Sequence, residues 1–75
     1  MGQEELIVFL KKQDKPLSRT QIAEAMKEDE IKISHTLKRL LKYKEVKCFE
    51  LDRYESAEYL KWKKPLRRVR FYYIN

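Results

Sequence analysis

Two amphipathic stretches follow each other in the first half of the chain. In the first, Ile22, Ala25 and Met26 recur at i, i+3 and i+4, which is the spacing of a helix with one buried face. The second stretch has the same period, and its apolar stripe consists of Ile33, Leu37, Leu40 and Leu41. Two consecutive helices, each with one face toward a core, are therefore predicted.

Local signals set the limits of the helices. Ser18 and Gln21 have the spacing of a capping box, so a helix is expected to start just after Ser18. Asp29 is the expected N-cap of the following helix, where its charge opposes the positive end of the helix dipole. Together with an apolar segment near the N-terminus, these signals predict helices at about 3–12, 19–27 and 30–44.

The second half of the chain contains two strand patterns. Residues 46–51 form one, and in residues 69–74 Val69, Phe71 and Tyr73 alternate with more polar positions. We expect the two strands to pair as an antiparallel hairpin, with a helical turn at about 56–60 in the long connection. The predicted class is α+β, a single domain over residues 1–75 with three helices followed by a two-stranded hairpin over about 46–74.

The first predicted helix has no polar side, because residues 6–10 are all apolar. A helix of this kind is usually covered by another surface. Two interpretations are open. The C-terminal strand covers it within the monomer, or Ile7, Val8 and Phe9 form a homodimer contact.

The positive charge is concentrated toward the C-terminus. The chain carries a net charge of +6, and from residue 59 onward it has six cations and no acid. These cations are Lys61, Lys63, Lys64, Arg67, Arg68 and Arg70. Such sorting favours an anionic partner, with nucleic acid first and a membrane surface second.

Membrane insertion and secretion are not expected. The longest apolar run, residues 6–10, has five residues, far fewer than the ~20 that cross a bilayer. Glu4 and Glu5 occupy the place where a signal peptide would be basic. We therefore expect a cytoplasmic protein, nucleoid-associated if the source is prokaryotic.

Catalysis, cofactors and metals are not predicted. With one histidine, His35, and one cysteine, Cys48, no cluster of ligands with metal-binding spacing is visible. Neither a nucleophile beside a base nor a glycine-rich phosphate loop is present.

The order of elements resembles the winged helix-turn-helix family, in particular the small MarR-like and ArsR-like transcription regulators. The most specific part is residues 21–26 followed at family spacing by residues 33–41, with Val46 opening the next strand. The resemblance implies that the helix containing residues 33–41 is a recognition helix and that residues 46–74 form the wing. Double-stranded DNA is the implied partner, and a dimer on a two-fold site the implied assembly.

The outward face of the implied recognition helix and the wing supply the predicted contacts. Arg39 is suited to guanine and Ile31 to a thymine methyl, with His35 and Lys38 beside them. Arg19 and Lys15 are expected to hold the DNA backbone from the other side. The full set of predicted nucleic-acid contacts is Arg19, Ile31, Lys32, Ser34, His35, Lys38, Arg39, Lys42, Lys61, Lys63, Lys64, Arg67, Arg68 and Arg70.

Two departures from the family pattern keep other functions open. The turn between the helices has Lys27 and Glu28 where the family usually has glycine and an apolar residue. Residues 28–30 are three acids at the end of the recognition helix that approaches DNA, which favours a protein-interaction module as an alternative. Trp62, which either folds the loop back or stacks on a base, and Tyr59 suggest an RNA-binding winged helix as a further one.

Overall fold

The computed structural model describes residues 2–74 and confirms the α+β class. Within this range there are four helices and three strands. In chain order they are α1 (Gln3–Lys11), β1 (Leu17–Ser18), α2 (Arg19–Met26), α3 (Glu30–Lys42), β2 (Lys47–Leu51), α4 (Arg53–Leu60) and β3 (Val69–Tyr73). The predicted helices 3–12, 19–27 and 30–44 correspond to α1, α2 and α3, which end one or two residues earlier.

The three strands form one antiparallel sheet with β3 in the centre, in the order β1-β3-β2. Phe71 of β3 pairs with Phe49 of β2 on one side and with Ser18 of β1 on the other. The predicted pairing of the two long strands is therefore present, but the sheet has three strands where two were predicted. A two-residue strand has too few positions to show an alternating pattern.

One hydrophobic core joins the first three helices to the sheet. Its buried members are Leu6, Leu10, Ile22, Ala23, Ile33, Leu37, Leu40, Val46 and Tyr72. Ala25, predicted on the buried face of α2, is exposed. The buried face is centred on Ile22 and Ala23, with Met26 half-buried beside them, so Ala25 is turned away from the core.

The opposite face of the sheet is also covered. Successive strand residues point to opposite faces, so Phe71 lies on the other side of β3 from Tyr72, yet both are buried. Phe71 packs against Phe49, with ring centroids 5.6 Å apart, and against Tyr59 of α4 at 4.6 Å. The Tyr59 hydroxyl donates to the Pro16 carbonyl at 2.8 Å. Helix α4 is thus fastened across the sheet to the loop before β1.

Helix α4 occupies the first half of the predicted hairpin connection. Asp52 caps it, accepting from the Glu55 amide at 2.8 Å, and Ser56 is fully buried with its hydroxyl donating to the Leu51 carbonyl. The predicted turn at 56–60 is therefore the second half of an eight-residue helix. Trp62 is half-buried where the chain leaves α4, and its amide donates to the Ala57 carbonyl at 2.8 Å.

Three lysines take the turn conformation that glycine usually provides. Lys27, Lys44 and Lys61 have φ values of 56°, 59° and 59°, and each follows a helix. The next amide reaches back five residues, as from Glu28 to Ala23 at 3.0 Å and from Glu45 to Leu40 at 2.9 Å, which is the Schellman arrangement. In the turn between α2 and α3, Lys27 thus adopts the left-handed conformation at the place where the winged-helix family usually has glycine.

The left-handed backbone at Lys44 predicts that a lysine-to-glycine substitution has opposite effects on stability there and inside a helix. Lys44→Gly should raise the free energy of unfolding by about 0.5–1 kcal/mol, because glycine has no Cβ to strain the left-handed backbone and this relief exceeds its extra unfolded-state entropy. Lys38→Gly, inside α3, should lower it by about 1 kcal/mol. Urea denaturation of both variants and the wild type gives the comparison. Equal destabilisation at the two positions would contradict it.

Candidate nucleic-acid interface

A contact between α2 and α3 organises the surface where DNA contacts were predicted. The Arg19 Nε and the Thr20 hydroxyl both donate to Glu30 Oε1 at 3.0 Å. The Thr20 hydrogen bond, the Arg19 hydrogen bond and the nearby charges of Arg19 and Arg67 lower the pKa of Glu30 from its ordinary value of 4.5. Arg67, which precedes β3, therefore lies close enough to the start of α3 to act on its first carboxylate.

The acids at the start of α3 are engaged within the protein. Asp29 caps the helix and accepts from the Ile31 amide at 2.7 Å. Glu30 is held by two side chains of α2, and Glu28 is half-buried in the turn. Two of the three carboxylates thus have structural partners, which reduces the repulsion of phosphate expected from the sequence.

A first groove lies between the start of α2 and the start of β3. It encloses about 240 Å³. Its lining residues are Ser18, Arg19, Thr20, Glu50, Arg67, Arg68, Val69, Arg70 and Tyr72. Four guanidinium groups border this groove against one carboxylate, that of Glu50, which faces Arg70 across the strands. The groove is therefore suited to an anion.

A second groove lies along the first half of α3 and encloses about 330 Å³. It is lined by Arg19, Glu30, Ile31, Ser34 and His35. Arg19 borders both grooves, so the start of the predicted recognition helix and the arginines of the C-terminal segment lie on one continuous surface. Ile31 is the most exposed large apolar side chain of the described residues, at 66%.

The side chains of the remaining cations of α3 project in different directions around the helix axis. All of them are exposed. Since each helical residue advances about 100°, Lys38 and Lys42 continue the stripe that begins in the second groove. Lys32 and Arg39 lie roughly 90° further round, away from Arg19. Helix geometry thus aligns Lys38 with the face of α3 that lines the second groove and turns Arg39, the predicted guanine reader, away from it.

The lysines after α4 are separate from both grooves. Lys61, Lys63 and Lys64 are exposed in the connection to β3 and line neither groove. The Arg67 guanidinium lies 5.6 Å from the centre of the Trp62 ring, so this tryptophan contacts its own loop. Lys15 is exposed beside Pro16, on the α4 side of β1.

The predicted dimer residues differ in accessibility. Val8 is 50% exposed, whereas Ile7 and Phe9 are half-buried against the core. Glu4, Glu5, Val8, Phe9 and Lys12 line one shallow depression. The monomer therefore covers α1 in part, and Val8 is the centre of the exposed face.

Sequence reasoning missed the contributions of Thr20 and of the start of α4. Asp52 and Glu55 have the spacing of a helix N-terminus, so this signal was present. It would have placed Arg53 and Tyr54 in the first turn of α4, and the structure places them beside Arg67 and Arg68. The hydrogen bond from Thr20 to Glu30 joins two helices and left no local signal.

Residues 2–74 contain no group of three or more His, Cys, Asp or Glu side chains placed to hold a metal ion. Over the same residues, no helix combines the length and the apolar character needed to cross a membrane.

Comparison with known proteins assigns no family to this chain. No protein-family model matches the chain, and no curated protein matches its sequence significantly.

The contact between α2 and α3 predicts a pH dependence of stability. The folded-state pKa of Glu30 is lowered, so its contribution is present above pH 4.5 and is lost as the pH falls through the folded-state value. Glu30→Gln should destabilise the protein at pH 7 and flatten its stability profile below pH 4.5. Unfolding measured from pH 7 to pH 3 tests this.

The matched control is Glu24→Gln, an exposed carboxylate on α2. It should destabilise the protein less at pH 7, since it removes a charge without removing the bonds between the helices. If both variants keep the acid dependence of the wild type, the contact between α2 and α3 contributes nothing measurable.

Proposed function

We propose that this chain is a DNA-binding winged-helix protein that regulates transcription, with α3 in the major groove and the arginines beside β3 on the DNA backbone. The observation that carries the proposal is that Arg19 borders both grooves. The outward face of α3 and the other arginines of the first groove would then contact the same DNA duplex. These arginines are Arg67, Arg68 and Arg70. This arrangement is what a duplex with regularly spaced phosphates requires.

The order of elements supports the winged-helix assignment. Helices α2 and α3 are joined by a tight turn, and the antiparallel strands β2 and β3 follow at the position of the wing. This chain would differ from a simple wing by carrying α4 between those strands. The wing would then be a folded unit whose base, Arg67 to Arg70, lies beside the recognition helix.

Two types of contact have different roles in this proposal. Arg19, Arg68 and Arg70 neutralise phosphates, which supplies affinity without sequence preference. Ser34, His35 and Lys38 project from α3 toward base edges, and the exposed Ile31 offers an apolar contact to a thymine methyl. The proposed role is binding, with no catalytic step.

The charges on α1 support a homodimer. Around Val8, acids lie toward the N-terminal end of α1 and lysines toward its C-terminal end. In an antiparallel pair of α1 helices centred on Val8, Glu4 of one copy lies opposite Lys12 of the other, and Glu5 opposite Lys11. A helix of this length spans about 14 Å, so the contact is smaller than the ~1,000 Å² of a stable interface. The dimer is therefore expected to form on adjacent DNA half-sites.

Selection from random duplexes tests the proposal. Arg68→Gln combined with Arg70→Gln should weaken binding to all sequences alike and reduce the slope of log affinity against log salt by about 2. Lys38→Ala should instead change the selected sequence. The control pair Lys44→Gln with Lys47→Gln removes the same charge from exposed positions outside both grooves and should have a smaller effect. Equal losses in the two pairs, or no duplex binding by the wild type at low salt, would refute the proposal.

The dimer has its own test. Val8→Glu should abolish cooperative binding to a duplex with two half-sites, because it places an acid at the centre of the α1 contact. Gel-shift titration measures this cooperativity, and sedimentation checks the free protein. Binding to a single half-site should be unchanged and serves as the control. A wild type that binds paired half-sites without cooperativity would exclude this dimer.

A further inference from the structure

A cluster of arginine and aromatic side chains lies at the start of α4 and shares only Arg67 and Arg68 with the proposed duplex surface. The Arg53 guanidinium lies 5.0 Å from the centre of the Tyr54 ring, and its Nη2 donates to the Tyr54 hydroxyl at 3.1 Å. Arg67 lies over Trp62 in the same way, at 5.6 Å. Two guanidinium groups are thus held against aromatic rings.

These side chains border a recess of their own. It encloses about 370 Å³ and is lined by Asp52, Arg53, Tyr54, Arg67 and Arg68. Three guanidinium groups face one carboxylate, and the Asp52 carboxylate already accepts the Glu55 amide as the cap of α4. The volume is at the lower end of the range for small-molecule sites.

Tyr54 has no role in the core that would explain it. Its side chain is 61% exposed, whereas Tyr59 on the same helix packs on Phe71 and bonds Pro16. An exposed aromatic ring beside three cations combines a surface for stacking with charges for phosphates. This combination is typical of sites for unpaired nucleotides.

We propose that this recess binds an unpaired nucleotide of a DNA or RNA strand, with the base stacked on Tyr54 and the phosphates on Arg67 and Arg68. Arg53 positions the Tyr54 ring and adds a third cation. Because Arg67 and Arg68 also line the first groove, a strand held here runs toward the duplex surface. The inference goes beyond the proposed duplex binding and does not depend on it.

The test compares strands of about 12 nucleotides, within the site sizes of single-strand binding proteins, by fluorescence anisotropy. The probes are oligo(dT), oligo(rU) and an abasic strand of the same length and charge. Oligo(dT) and oligo(rU) should bind similarly, since stacking does not read the 2′-hydroxyl, and the abasic strand should bind about tenfold more weakly. Equal binding of oligo(dT) and the abasic strand would overturn the proposal, because charge alone would then account for affinity. Tighter binding of either base-bearing strand than of the abasic strand supports the proposal, and any preference between the two identifies the source of the nucleotide.

Variants locate the site. Tyr54→Ala should weaken oligo(dT) binding about tenfold, while Tyr54→Phe, which retains the ring, should bind like the wild type. Tyr43→Ala is the matched control, because Tyr43 is 63% exposed and lies at the end of α3. Thermal unfolding checks that each variant is folded. Unchanged oligo(dT) binding by Tyr54→Ala would overturn the proposal.

A blunt duplex separates this inference from the proposed function. Tyr54→Ala should bind the duplex as the wild type does. An equal loss of affinity for the duplex and for oligo(dT) would overturn the proposal of a distinct site. Failure of the wild type to bind the blunt duplex while it binds oligo(dT) would count against the duplex proposal and leave this one supported.

Discussion

The pairing of β1 with β3 is the constraint on which the candidate surface depends. Leu17 and Ser18 pair with Tyr72 and Phe71 of the central strand, and Ser18 also caps α2 through its contact with the Gln21 amide at 3.2 Å. One residue therefore ends the strand and starts the helix. Arg19 follows at once, so its backbone position relative to the arginines next to β3 is set by sheet hydrogen bonds. Such a position is far better defined than one set by a flexible loop.

The burial of β3 on both faces makes that constraint rigid. Tyr72 faces the core formed with the first three helices, and Phe71 faces α4. A hairpin with one solvated face is weakly held in a domain of this size. Here the connection between β2 and β3 folds into α4, whose Tyr59 bonds the segment before β1. Arginines on this ordered segment next to β3 lose less conformational entropy when they bind an anion than the same arginines would lose on a flexible loop.

Three acids near the grooves and the recess have structural partners, whereas two arginines at the first groove face solvent. Asp29 and Asp52 cap helices, and Glu30 joins α3 to α2. Arg68 and Arg70 are exposed at the first groove. An excess of free cations over free acids on one surface creates the positive potential that attracts a polyanion, and the net charge alone would not say where it lies.

Local sequence patterns determined the elements of this protein, and tertiary contacts decided its surface. Helical periodicity and the Ser18 and Asp29 caps predicted α1, α2 and α3 within two residues of their ends, because these signals act within one or two helical turns. The pairing of β1 with β3 and the Thr20 bond to Glu30 could not be predicted, because each joins residues distant in the chain and leaves no periodic pattern. The contact of Arg19 with Glu30 and the start of α3 was decided by how α3 packs against α2, which depends on the packing of both helices against the sheet.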